Sequence, residues 1–213
     1  MQCVNVKHLD HGSFARTLQW PSARIIHTTT TADASTIEKM KSSNILKRIT
    51  NKLKFIDFEG AVNFNMPDTF FSWFLITELH VWMLMVRFMA EGKYGKIARN
   101  ILVEAMWDDI EIRTKKLGVS VHEKKQKLEL SYQFNSAILA YDEGIMSDDK
   151  VLARALWETF FNLECNNPEL IEKLLIYVRK QINLLDKISS QEILRHPQIQ
   201  WLDLKSINID NSL

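Results

Sequence analysis

Between Pro67 and Ala90 the chain reads PDTFFSWFLITELHVWMLMVRFMA, its longest apolar segment. A helix of ~20 such residues is long enough to cross a bilayer. Here, however, Glu78 and His80 fall near its middle and Arg87 in its last turns, and ionised groups at the centre of a membrane cost roughly 2.5–3.5 kcal/mol each on insertion scales. The segment is therefore read as a helix buried inside a bundle. Pro67 is expected at its first position, where a missing N–H costs nothing, with Asp68 at the positive end of the dipole and the stop at Glu91-Gly92. At about 100° per residue, Ser72, Ile76, His80, Met83 and Arg87 share one side. Glu78 lies away from them, among Phe71, Phe74, Val81, Met85 and Met89. Glu78, His80, Arg87 and, from the next helix, Asp108 form the expected buried polar core, each in need of a partner.

A chain of 213 residues with only 6 Gly and 4 Pro favours long helices over a turn-rich β fold, and its length suits one domain with terminal extensions. The net charge of +1 gives no global instruction about partners. Two cysteines, Cys3 and Cys165, argue against a disulfide framework. The six histidines are dispersed without zinc-site spacing, so no metal and no cofactor are expected. The predicted fold is all-α: a single compact helical bundle with a flexible amino-terminal presequence and a carboxy-terminal tail.

The termini carry their own signals. From residue 1 to 34 the chain is rich in Ser and Thr, carries Lys7, Arg16 and Arg24, and has few acids, which is the composition of a mitochondrial presequence followed by a linker. Residues 35–54 open on the capping-box pattern Ser35-Thr36-Ile37-Glu38 and place Ile45, Ile49 and Leu53 at i,i+4 spacing among Lys47, Arg48, Lys52 and Lys54. Such a basic amphipathic helix serves as a membrane or ribosome contact, or as a solvated outer helix of the bundle. The main domain is expected over 55–188, with a short helix and tail over 189–213.

Within that domain, Glu91-Gly92-Lys93-Tyr94-Gly95-Lys96 fails as a phosphate-binding loop, because the glycines are too close and Ile97 stands where Ser or Thr would hold magnesium. It reads as a helix terminus. The next helix carries Ile97, Ile101, Leu102, Ala105, Met106 and Ile112 inward, and Asp108 and Asp109 diverge by about 100°, so they cannot share one substrate. Ser120-Val121-His122-Glu123 caps a further helix, which turns Phe134, Ala137, Ile138 and Tyr141 to the core and is expected to stop at Gly144. Around that stop lies an acidic knot, Asp142, Glu143, Asp148 and Asp149. Asp142 and Glu143 oppose the helix dipole there and call for a basic partner from this fold or from another protein. Leu152, Ala155, Leu156, Thr159 and Phe160 form one more helical face. Asn167-Pro168 then starts a long helix with the stripe Ile171, Leu174, Leu175, Val178, Ile182 and Leu185.

Several stretches in one order are similar to a known family: Met66-Pro67-Asp68-Thr69-Phe70, Ser72-Trp73-Phe74-Leu75-Ile76-Thr77, His80-Val81-Trp82, Lys93-Tyr94-Gly95-Lys96, Tyr141-Asp142-Glu143-Gly144, Ser147-Asp148-Asp149, Ala155-Leu156-Trp157 and Tyr177-Val178-Arg179-Lys180-Gln181. The region from about Asp57 to Ile188 thereby resembles the ubiquinol–cytochrome c reductase (respiratory complex III) assembly chaperones of mitochondria. Glu78 departs from that pattern, in which an apolar residue is expected.

The resemblance implies a non-enzymatic, all-helical factor on the matrix side of the inner membrane. It implies a heterodimer with a small helical assembly factor, engagement of newly made cytochrome b, possible contact with the mitochondrial ribosome, and no DNA. The family supplies no catalytic residue. Candidate contacts for partner or client are the acidic knot and, as an adaptable apolar surface, Trp82, Met83, Met85 and Met89. The same Trp and Met residues equally suit simple core packing, and the knot equally suits an internal helix corner held by an Arg. Two rival functions stand beside the chaperone. One is an RNA- or ribosome-binding module using Lys47, Arg48, Lys52 and Lys54; the other is an enzyme using His80 with a carboxylate such as Asp108.

Overall fold

The computed structural model describes residues 66–67, 69–117, 123–164, 167–195, 199–203 and 207. The presequence, the basic helix with Lys47, Arg48, Lys52 and Lys54, and also Asp68, Ser120 and Cys165 lie outside the described residues. Six helices follow in order: α1 Phe70–Met89, α2 Gly92–Lys116, α3 Glu123–Met146, α4 Asp149–Phe161, α5 Pro168–Asp186 and α6 Ser190–Arg195. No strand occurs among the described residues.

Short connections make consecutive helices antiparallel. Accordingly α1, α3 and α5 run one way: residues eight apart on α1, Phe74 and Trp82, reach ring contacts or hydrogen bonds that lead to Phe134 and Asp142, eight apart on α3. The backbones of α1 and α2, α1 and α5, α4 and α5, and α3 and α4 pack closely, whereas α1 meets α3 chiefly through long side chains. Every residue of α1 from Phe74 to Phe88 is buried, so the longest apolar segment lies inside protein. Trp82, Met83 and Leu84 have no exposed surface, which makes α1 the axis around which the other helices are laid.

Helix ends follow from local chemistry, with corrections to the sequence reading. Pro67 is not the first residue of α1: Thr69 is the cap, its hydroxyl accepting the Ser72 N–H, and the Pro67 carbonyl accepts the Thr69 N–H. The stop expected at Glu91-Gly92 is present, since α1 ends at Met89 with Ala90 as its cap, and residues 92–96 already form the first turns of α2, reached through Gly92 at φ +55°, a conformation that glycine adopts without strain. Gly144 does not end α3, which runs on to Met146. It lies where α4 crosses, and a Cβ there would come within 2.7 Å of Leu152 Cα. Ile112 points outward, and Ile110 takes the inward place.

The remaining caps follow the sequence. Asp148 accepts the Lys150 and Val151 N–H groups at the start of α4, Asn162 ends it in the left-handed region at φ 48°, and Asn167 with Pro168 starts α5. The α5 stripe is buried throughout, as are Leu152, Ala155, Leu156 and Phe160 on α4. After α6, residues 199–203 run back along α5, where Gln181 donates to the Gln200 carbonyl and accepts the Leu202 N–H. That clasp seats Ile199 and Trp201 on the core, through bonds of one helix side chain to the tail backbone rather than through a strand pairing.

Candidate functional site

Polar side chains inside an apolar bundle persist when something holds them, and the partners found for α1 define its chemistry. Arg87 donates through Nε to the Leu185 carbonyl at 3.0 Å and through a terminal nitrogen to the Ile188 carbonyl at 2.8 Å, and pairs with Glu91. Its charge thus caps the carbonyl end of α5. Asp108, expected as a buried partner for Arg87, is exposed instead, and Asp109 pairs with Arg113.

His80 contacts the Ile76 carbonyl with Nδ1 at 2.7 Å and the Tyr177 hydroxyl with Nε2 at 2.6 Å. A carbonyl only accepts, so Nδ1 carries the proton and Tyr177 donates to Nε2. Burial pushes the imidazole down to about 4, so it is neutral at physiological pH. Among the described residues its partners include no carboxylate, and Glu78 lies about 200° away around α1. A neutral, doubly bonded histidine between two helices is a structural tie.

Glu78 is fully buried, and neither carboxylate oxygen has a hydrogen-bond partner among the described residues. Desolvation pushes it up to about 9, so it is a neutral acid in the closed bundle. The Tyr141 phenol from α3 sits in its field and is pushed up by burial and then by Glu78. The apolar residue expected at this position would carry no such cost.

The acidic knot comes apart in three dimensions. Asp142 turns inward, accepts the Trp82 indole N–H at 2.8 Å and faces Arg99 of α2, and burial still pushes it up to about 6. Asp149 is buried and accepts both Nε and a terminal nitrogen of Arg179 from α5, at 3.0 and 2.8 Å. Asp148 spends one oxygen on the α4 cap. Of the four, Asp142 and Asp149 are thus held by internal partners, and only Glu143 and Asp148 present an exposed edge. Trp82, Met83 and Met85 are buried core residues rather than an adaptable surface, and Met89 is half-buried.

The sequence reading missed the apolar surface that does face outward. Leu128, Tyr132, Leu139 and Met146 of α3 are 52, 68, 56 and 54% exposed, and they fall within about 40° of one another around the helix, opposite its core face. The seven-residue recurrence of Tyr132, Leu139 and Met146 was the available signal, and it is the spacing by which one helix presents a seam to another. Beside its carboxy-terminal half an open groove of about 560 Å³ runs between α3 and α4, floored by Ala140, Val151 and Ala155 and edged by Glu143 and Arg154. Among the described residues no three His, Cys, Asp or Glu side chains gather as a metal site would require.

Comparison with known proteins matches residues 62–201 to the family described as Ubiquinol-cytochrome C chaperone. The Drosophila melanogaster ubiquinol-cytochrome c reductase complex assembly factor 1 is 44% identical over 177 residues, covering 80% of this chain and 68% of the fly protein. The Homo sapiens protein of that name is 45% identical over 165 residues, covering 76% of this chain and 55% of its own length. Saccharomyces cerevisiae Protein CBP3, mitochondrial, is 35% identical over 132 residues, covering 60% and 39%. The chain thus spans little more than half of the human relative. In fold, the crystal structure of the Cbp3 homolog from Brucella abortus superposes with a TM-score of 0.68 at 18% identity, over 82% of this chain and 99% of the other. The all-α single domain read from the sequence agrees with this neighbour. The relatives are assembly factors rather than enzymes, and the ordered motifs, the family match and the two-thirds coverage of the fly protein together establish that this chain belongs to the ubiquinol-cytochrome C chaperone family.

Proposed function

We propose that the protein is a mitochondrial assembly chaperone for ubiquinol–cytochrome c reductase. It works on the matrix side of the inner membrane, engaging newly made cytochrome b together with a small helical assembly factor. Its relatives' names supply the complex that is assembled, and the yeast relative's name supplies the mitochondrion, in keeping with the presequence composition of residues 1–34. The observation that carries a binding role for the described domain is the outward stripe Leu128, Tyr132, Leu139 and Met146. Four large apolar side chains aligned on a solvent-facing helix are an unspent binding surface in a protein whose core is already filled. Their heptad spacing fits a helical partner better than an extended peptide.

The test is recovery of tagged protein from mitochondria in which only organelle-encoded products are labelled. Selective recovery of labelled cytochrome b, lost with Leu139→Glu or Tyr132→Glu while the variants melt like the parent, is the expected result. Equal recovery of all labelled chains, weakening steeply with salt, would instead support the ribosome or RNA reading through Lys47, Arg48, Lys52 and Lys54.

A further inference from the structure

The least explained group in the bundle is the Glu78 carboxyl. It stands at the middle of α1, without exposed surface, and neither oxygen is hydrogen-bonded to any of the described residues. Tyr141, fully buried, faces it from α3, with the Thr159 side chain of α4 beside its hydroxyl. A carboxyl buried without a protein partner opposes closure of whichever seam buries it. The seam is that between α1 and α3, whose backbones stand apart and are bridged by long side chains, with Trp82 reaching Asp142 and tilted against Tyr141 at a 5.0 Å ring separation.

We propose that the α1–α3 seam is a proton-linked joint: Glu78 is held as the neutral acid while the seam is closed, and it releases its proton to solvent when α3 moves away from α1. The other charged and titratable groups near it are accounted for. On α3 they are Tyr141 and, one residue on, Asp142, already committed to Trp82 and facing Arg99 of α2. From α4 the group beside Tyr141 is the non-ionising Thr159. His80, with its α5 partner Tyr177, lies on the far side of α1 and is neutral. Among the described residues, Glu78 alone therefore changes charge as the seam opens between pH 6 and 8, apart from the tail of the Asp142 titration at the acid end. Opening presents Trp82, Tyr141 and Phe134, an aromatic surface absent from the closed form. The joint does not depend on the complex III reading, since it follows from the packing of this chain alone.

The experiment is hydrogen-exchange mass spectrometry on the full chain at pH 6, 7 and 8, with rates divided by the intrinsic exchange rate at each pH. Peptides covering Glu78 and Tyr141 report the seam, and the buried segment Ile176–Ile182 of α5 is the internal reference. The expected result is protection that falls by about tenfold per pH unit at the seam relative to α5, and that becomes independent of pH in Glu78→Gln. Three results would overturn the joint. One is seam protection in the parent that does not change with pH. Another is an unchanged slope in Glu78→Gln. The third is a slope shared equally by α5, which would make the opening global unfolding. The parent profile decides the matter even if the variant fails to fold.

Discussion

The imidazole of His80 and the phenol of Tyr177 meet at 2.6 Å and tie α1 to α5, residues 97 positions apart in the chain. Because Nδ1 donates to Ile76, Nε2 can only accept, and among the described residues Tyr177 is its donor. Tyr177→Phe leaves a buried acceptor unpaired and is expected to cost about 1–3 kcal/mol, read as a lower urea midpoint with an unchanged slope.

The same imidazole sets an acid limit. Its value is pushed down to about 4 from an ordinary 6.5, so its contribution is complete above pH 6.5 and is lost as the pH falls towards 4. Over that window the His80 contribution should fall by about 1.4 kcal/mol per pH unit, against the opposing contributions of the raised carboxyls Glu78 and Asp142. Urea titrations from pH 4 to 8 check this: His80→Gln should remove that part of the slope, and an identical profile in the variant would refute the assignment.

Glu78 acts in the opposite sense. Raised to about 9 from 4.5, it favours the fold most below pH 4.5, and that contribution drains away as the pH rises through 9. Glu78→Leu is therefore expected to be more stable than the parent at pH 8 by several kcal/mol, on the order of 1.4 kcal/mol for each pH unit above the ordinary carboxyl value. The gain should shrink as the pH is lowered towards 5, which thermal melts at both pH values would register.

Two glycines mark where helix backbones touch. A Cβ on Gly95 would stand 1.8 Å from the Phe88 carbonyl oxygen, and one on Gly144 would stand 2.7 Å from Leu152 Cα. Neither obstacle is a flexible side-chain end. Gly95→Ala and Gly144→Ala should each destabilise by about 2 kcal/mol or more, although alanine is the better helix former. Melting temperatures equal to or above the parent's would show that the helices separate freely.

The forked contact of Arg179 on Asp149 joins α5 to the first turn of α4. Asp149→Asn or Arg179→Met should cost about 1–3 kcal/mol, and the double variant less than the sum, because each single change strands a largely buried partner. A double-mutant cycle giving no coupling would place this pair among ordinary surface contacts.

Much of the architecture was legible before folding. The α5 helix announced itself through Asn167, Pro168 and a 3.6-residue stripe, every member of which is buried. The depth of α1 followed from apolar residues on nearly all its sides, and the family from motifs whose order a chance match would not reproduce. The candidate surface was not legible in the same way. Periodicity says which residues share a face, but when both faces carry apolar residues it does not say which one the core takes. Trp82, Met83 and Met85 went inward, and Leu128, Tyr132, Leu139 and Met146 stayed out.

What the sequence determined by itself was local: where helices start, which residues cap them, and that α1 must be sheltered from water. What only the tertiary structure decided was pairing over distance. Asp149 found Arg179 thirty residues on, Arg87 found the carbonyls that end α5, and Glu78 found no hydrogen-bond partner among the described residues. Hydrogen-bond propensity and apolar spacing act within a few residues and are written in the chain. The field around a buried charge is the sum of every element packed against it, and it exists only once they have packed.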